Sequence, residues 1–181
     1  MSRVFATKLF RASIILFFAV TILYAQTTND NYVEAFREQR LKQGDIFLSK
    51  ATDFYKDGNY KACIDKLNEF LFLFPGHPST LKSLKLLSLS YKKRDQIEES
   101  IRTDLLIYKE NPTTEDGLTS YLDAGKKLIM IGKSKDGKNI LENIKNQLYS
   151  SKIAKDAEIE LKQNKILEEN GFQIKEEMNK E

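Results

Sequence analysis

Apolar side chains recur at steps of three and four residues in three separate stretches, which is the spacing of one helix face. The stripes are Tyr60, Ile64, Leu67 and Leu71, then Ile97, Ile101, Leu105 and Tyr108, then Ile140, Leu141, Ile144 and Leu148. A further helix is predicted before each stripe, at Ile46 to Tyr55, Leu81 to Tyr91 and Leu118 to Ile131. The pattern therefore predicts a string of helical hairpins.

Two sets of turn markers repeat with the same period of 37 residues. The sets are Gly58, Asp95 and Gly132, and Pro75, Pro112 and Tyr149. The first set marks where the first helix of each hairpin stops in a left-handed conformation, which glycine adopts readily and aspartate at some cost. The prolines end the second helices. Thr113 with Asp116, and Ser134, are the predicted caps of the helices that follow.

The aligned positions resemble the tetratricopeptide repeat, in which large, small and aromatic residues alternate at fixed offsets before a proline. The three copies read Phe47, Lys50, Ala51, Phe54, Cys63, Leu67 and Pro75, then Leu84, Leu87, Ser88, Tyr91, Ser100, Asp104 and Pro112, then Tyr121, Ala124, Gly125, Leu128, Gly137, Leu141 and Tyr149. Small residues fall where paired helices must approach closely, whereas Lys50, Asp104 and Tyr149 depart from the pattern. The resemblance implies an all-α, right-handed superhelix of about three hairpins with a C-terminal capping helix.

A narrower resemblance lies in the stretch NYKACIDKLNEFLFLFPGHPSTLKSLKLLSLSY. Phe70-Leu71 and Phe74-Pro75 match a turn found in exported tetratricopeptide proteins of the Gram-negative envelope. Those proteins are the Tol-Pal-associated periplasmic protein and the outer-membrane assembly lipoprotein. The likeness implies a non-enzymatic interaction scaffold in envelope assembly or maintenance.

The N-terminus has the layout of a secretory signal peptide. Arg3, Lys8 and Arg11 precede a 13-residue run without charge, and Ala25 supplies a small residue before the expected cleavage point. The run is short for a membrane span, which needs about 20 apolar residues. We expect an exported, periplasmic protein with no integral span after cleavage. A leader retained as a membrane anchor, on an assembly factor, stays open as an alternative.

Charge and composition restrict the partner and the chemistry. The first 25 residues hold three basic residues and no acidic one, so the remaining chain carries 26 basic and 26 acidic residues. Without a basic excess, nucleic-acid binding loses its main electrostatic support. Cys63 and His77 are single residues of their types, too few for most metal or nucleophile sites, and the adjacent glutamate pairs suit solvated helix faces. We expect no enzyme, metal or cofactor, with a two-carboxylate glycan hydrolase as the rival hypothesis.

The predicted boundaries follow from these signals. They are a signal peptide at 1–25, a leader segment at 26–43, a repeat domain at 44–169 and a flexible tail at 170–181. Within the domain, repeats lie near 44–77, 81–114 and 118–151, and a cap at 152–169, with Asn170-Gly171 ending the last helix.

The family resemblance implies a concave groove lined by the first helix of each hairpin. The positions carried over are Asp45, Leu48, Thr52 and Tyr55, then Lys82, Lys85, Leu89 and Lys92, then Thr119, Leu122, Lys126 and Ile129. From these, with Phe72 as an exposed aromatic, we predict the partner-binding residues Tyr55, Phe72, Lys82, Lys85, Leu89, Lys92 and Lys126. A protein or peptide partner is expected, with an acidic segment if the lysines bind it, and the oligomeric state stays open.

The leader hypothesis makes a direct prediction about processing. If residues 1–25 are a cleaved signal, the mature protein begins at Gln26 and fractionates as a soluble species. Intact-mass measurement of the exported protein tests this. Recovery of the chain from Met1 in washed membranes would contradict cleavage and favour the anchor.

Overall fold

The apolar stripes form helices in the order that the sequence predicts. The computed structural model describes residues 32–178, with side chains through residue 170, and every element in that range is an α-helix. The helices are α1 (residues 32–56), α2 (Tyr60–Leu73), α3 (Thr80–Lys93), α4 (Ile97–Glu110), α5 (Glu115–Met130), α6 (Ser134–Lys145) and α7 (Ser151–Met178). The predicted signal peptide lies outside the described residues.

Two compact units divide the chain between Ile46 and Phe47, inside α1. The described part of the first unit is the N-terminal half of α1, where Tyr32, Val33 and Phe36 are exposed. In the second unit, α3 packs on α4, α5 on α6, and α7 on both α6 and α5. Contacts of α2 with α3 and of α4 with α5 join successive hairpins.

The same turn closes the first helix of each hairpin. Gly58, Asp95 and Gly132 have φ values of +74°, +60° and +82°. The residue after each donates its backbone N–H to a carbonyl five positions back, as in Asn59 to Phe54 at 2.9 Å. These bonds are Schellman caps, which satisfy the last carbonyl groups of a helix. The prediction of three left-handed turn residues is confirmed, including the aspartate.

Both predicted N-caps of the later helices were wrong by one residue. The cap of α5 is Thr114, whose hydroxyl accepts from the Gly117 N–H at 3.1 Å. Helix α6 begins at Ser134 itself, so Lys133 occupies the capping position and forms no side-chain cap. The predicted residues Thr113 and Ser134 therefore do not cap these helices, because only the residue directly before a helix directs its side chain at the free N–H groups.

Two helix ends also differ from the prediction. Helix α6 ends at Lys145, so Leu148 lies outside its stripe and is 98% exposed. Helix α7 continues through Gly171 to Met178, beyond the predicted stop. A glycine within a helix costs only about 1 kcal/mol, and ion pairs one turn apart, such as Lys165 with Glu169 at 3.7 Å, support the preceding turns.

Small residues mark each hairpin crossing, as predicted. The pairs are Ala51 with Cys63, Ser88 with Ser100, and Gly125 with Gly137, and all six residues are buried. In the third hairpin a Cβ added to Gly137 would lie 2.6 Å from the Gly125 carbonyl oxygen. Since real Cβ atoms do not approach so closely, the crossing of α5 and α6 requires glycine there.

The second unit has two hydrophobic clusters. Phe70, Leu67 and Ile107 belong to the first, which extends from α1 to α4. Leu118, Leu141 and Ile144 belong to the second, which extends from α4 to α7. Helix α4 contributes to both, with Ile107 in the first and Ile101 in the second.

A buried ion pair on α4 and α5 accounts for Asp104, which departs from the repeat pattern. Asp104 and Lys127 are 3% and 6% exposed, and their charged atoms are 2.5 Å apart. The ammonium also donates to the Ser100 and Ser88 hydroxyls at 2.7 and 3.2 Å, and the Ser88 hydroxyl donates to the other Asp104 oxygen. We call these four side chains the polar seam. Within the described residues, no buried side-chain nitrogen or oxygen lacks a hydrogen-bond partner.

Desolvation dominates the electrostatics of the seam. Burial raises the pKa of the Asp104 carboxyl above its ordinary value, while the Lys127 ammonium and the Ser88 hydroxyl act in the opposite direction. A buried charge is tolerated only when it is paired and hydrogen-bonded. The seam therefore ties α3, α4 and α5 into one arrangement.

The seam predicts strongly non-additive stability effects. Lys127→Met leaves the Asp104 carboxyl without its counter-charge, so the free energy of unfolding should fall by about 3–5 kcal/mol. The double variant Asp104→Leu/Lys127→Met removes both charges and should be more stable than Lys127→Met alone. Urea denaturation of both single variants and the double variant measures this coupling. A double variant whose loss equals the sum of the single losses would contradict it.

Candidate partner-binding groove

Some of the predicted groove positions on the first helices of the hairpins are buried, and others are exposed to solvent. Leu48 and Leu122 are buried and belong to the hydrophobic clusters. Tyr55 is half-buried, and its ring meets the edge of Tyr60 with 5.3 Å between the ring centres. Lys82, Leu89, Lys92 and Lys126 are exposed, and Lys85 is half-buried. The exposed positions are concentrated on α3 and α5.

A cleft of about 330 Å³ lies where α3, α5 and α7 come together. Its lining residues are Lys92, Asp123, Lys126, Lys127, Ile129, Met130, Glu160 and Asn164. A second, smaller cleft between α3 and α5 is lined by Lys85, Leu89, Thr119 and Asp123, and by three members of the polar seam, Ser88, Asp104 and Lys127. The structure thus brings Lys85, Leu89, Lys92 and Lys126 of the predicted site into one region.

Acidic residues change the electrostatics predicted for this region. Lys85 forms an ion pair with Asp116, and Lys126 pairs with Glu160 at 2.5 Å. No described residue forms an ion pair with Lys82 or Lys92. The groove therefore has mixed charge, and its uncompensated positive charge lies at the two ends of α3.

Phe72 occupies a different surface. It lies on α2, is 83% exposed and lines neither cleft. Its predicted exposure is confirmed, and its role in partner contact stays a prediction.

Sequence reasoning missed several groove residues, among them Asp123, Met130 and Glu160. Asp123 and Met130 lie on α5 beside the positions that the family resemblance supplied, at the helical spacing of seven residues. That spacing was available in the sequence as a signal. Glu160 comes from α7, which the sequence pattern predicts only as a cap, and nothing in the local pattern indicates its contact with Lys126.

The single cysteine and histidine have structural surroundings. Burial raises the pKa of the Cys63 thiol, with a smaller opposite effect from the Ser90 hydroxyl 3.2 Å away, and this disfavours the nucleophilic thiolate. The His77 imidazole is buried, accepts from the Ser79 N–H at 3.1 Å and packs edge-on against Phe70. Within the described residues, no group of three or more His, Cys, Asp or Glu side chains is placed to hold a metal ion.

Comparison with known proteins identifies the fold. The chain is similar in structure to the tetratricopeptide repeat domain of Sgt2 from Aspergillus fumigatus, with a TM-score of 0.52 and 18% sequence identity. The match covers 71% of this chain and 82% of that domain. No protein-family model and no curated protein matches the sequence. The chain therefore has an all-α, tetratricopeptide-like superhelical fold, as its repeats predicted.

Exposure predicts different roles for two phenylalanines of α2. Phe72→Ala should leave the free energy of unfolding nearly unchanged, because its ring is already solvated. Phe70 is fully buried, so Phe70→Ala should lower that free energy by about 3–5 kcal/mol. Thermal and urea unfolding of both variants measures this difference. A comparable loss in Phe72→Ala would place its ring in the core.

Proposed function

We propose that the protein is a non-enzymatic interaction scaffold that holds a segment of a partner protein in the groove of α3, α5 and α7. The cleft there carries the proposal, because it combines exposed apolar side chains with charged groups that have no internal partner. Such a surface suits recognition by complementarity, with no chemical step. The tetratricopeptide-like fold supports this reading, since stacked hairpins create extended concave surfaces for binding.

We further propose that the scaffold acts in the cell envelope after export. The signal-like leader and the aromatic-proline turn at Phe74-Pro75 support that location. No helix within residues 32–178 is long and apolar enough to cross a membrane. The anchored alternative differs only in retention of the leader, which the mass of the exported protein distinguishes.

One observation bears on the rival hydrolase hypothesis. Asp104 and Asp123 line the same small cleft, and the pKa of Asp104 is raised. A glycoside hydrolase, however, needs a carboxyl group that can reach the glycosidic oxygen. Both Asp104 oxygens are hydrogen-bonded, to Lys127 and Ser88, and the residue is almost fully buried. This geometry favours a structural role for Asp104 and supports the scaffold.

The scaffold proposal predicts a charge-dependent loss of partner capture. Lys85→Glu/Lys92→Glu reverses the charge of the two α3 lysines that line the clefts and should weaken capture of partners from envelope extract. Added salt should weaken capture by the unaltered protein, because screening shortens electrostatic interactions to about 8 Å at physiological ionic strength. Affinity purification with quantitative mass spectrometry measures both effects.

A matched control variant distinguishes the effect of charges in the groove from the effect of a change in net charge. Lys93→Glu/Lys109→Glu changes net charge equally at two exposed lysines that line neither cleft. It should retain the partners, and circular dichroism should show an unchanged fold in both variants. Equal retention of partners by the two double variants would contradict recognition through the groove.

A further inference from the structure

Two opposite charges line the cleft between α3, α5 and α7 without pairing. Lys92 lies in the last turn of α3, and Asp123 lies on α5. Neither forms an ion pair with any described residue, although Lys126 and Glu160 of the same cleft are 2.5 Å apart. The cleft thus contains the pair of Lys126 and Glu160, the Lys127 ammonium of the polar seam, and two charges of opposite sign that have no ion-pair partner among the described residues.

The arrangement restricts what binds well. A segment carrying only acidic groups gains an attraction at Lys92 and meets a like charge at Asp123. A segment carrying only basic groups is attracted by Asp123 and repelled by Lys92. Like charges brought together in a partly desolvated interface oppose binding, so a segment with one charge of each sign fits best.

Exposed apolar groups accompany these charges. Met130 is 61% exposed and lines the cleft, and Leu89, which is 48% exposed, lies one turn before Lys92 on α3. Methionine adapts its shape to varied apolar partners. An apolar side chain of the bound segment would therefore gain contact area beside the charged positions.

We propose that this cleft recognises a protein segment with an acidic side chain for Lys92, a basic side chain for Asp123 and an apolar side chain against Met130. The inference rests on the proposed function, that the groove holds a partner segment. It replaces the expected acidic segment of the partner with a segment of mixed charge.

Selection from a displayed library of random 12-residue peptides tests the proposal. Peptides enriched on the unaltered protein should carry both an acidic and a basic residue at a recurrent separation. Lys92→Glu should enrich peptides that lack the acidic residue, and Asp123→Lys should enrich peptides that lack the basic one. The enriched wild-type peptide should bind each variant about tenfold more weakly.

Matched controls are Lys93→Glu and Asp57→Lys, which reverse exposed charges outside both clefts. They should select the same peptides as the unaltered protein. Saturable binding that Met130→Glu abolishes but neither cleft reversal affects would overturn the mixed-charge inference and leave the groove scaffold standing.

Two other outcomes distinguish the remaining possibilities. Failure of every peptide to bind would overturn both proposals. Sedimentation that shows a dimer, dissociated by Lys92→Glu, would assign the cleft to a second copy of the chain and overturn recognition of another protein.

Discussion

The ion pair between Asp104 and Lys127 joins the second hairpin to the third. Two charges withdrawn from water are costly unless their hydrogen bonds are complete, and here Ser88 and Ser100 complete them. The bonds are satisfied together only when α3, α4 and α5 keep one register. Because α3 and α5 also line the groove, the interaction that satisfies the buried charges also positions the binding surface.

The repeated backbone features were predictable because they depend on local requirements. A left-handed residue must end the first helix, and small residues must lie where two helices cross, so Gly58, Asp95 and Gly137 were recognisable from spacing alone. Helix ends were less predictable. Thr113 and Thr114 are both suitable capping residues, and Thr114 is the cap because α5 begins at Glu115. Leu148 is exposed because α6 already ends at Lys145.

The candidate site was predictable only in part. The helical spacing of α3 predicted a shared face for its lysines, since side chains three and four residues apart are neighbours, and Lys85 and Lys92 do line the clefts, whereas Lys82 does not. Their partners depend on tertiary packing. Asp116 comes from α5, and Glu160, which pairs with Lys126, comes from α7. Asp104 was recognisable as an exception to the repeat, but its partner lies on another helix, and periodicity carries no signal for that pairing.

Hydrogen–deuterium exchange of Lys127→Met beside the unaltered protein tests most directly whether the polar seam holds the hairpins together. Amide exchange reports local opening. We predict faster exchange in α4 and α5 of the variant, with α2 unchanged, because Phe70 and Leu67 belong to the separate first cluster. Unchanged protection of α4 and α5, or equal loss in every helix, would contradict the central role of the seam.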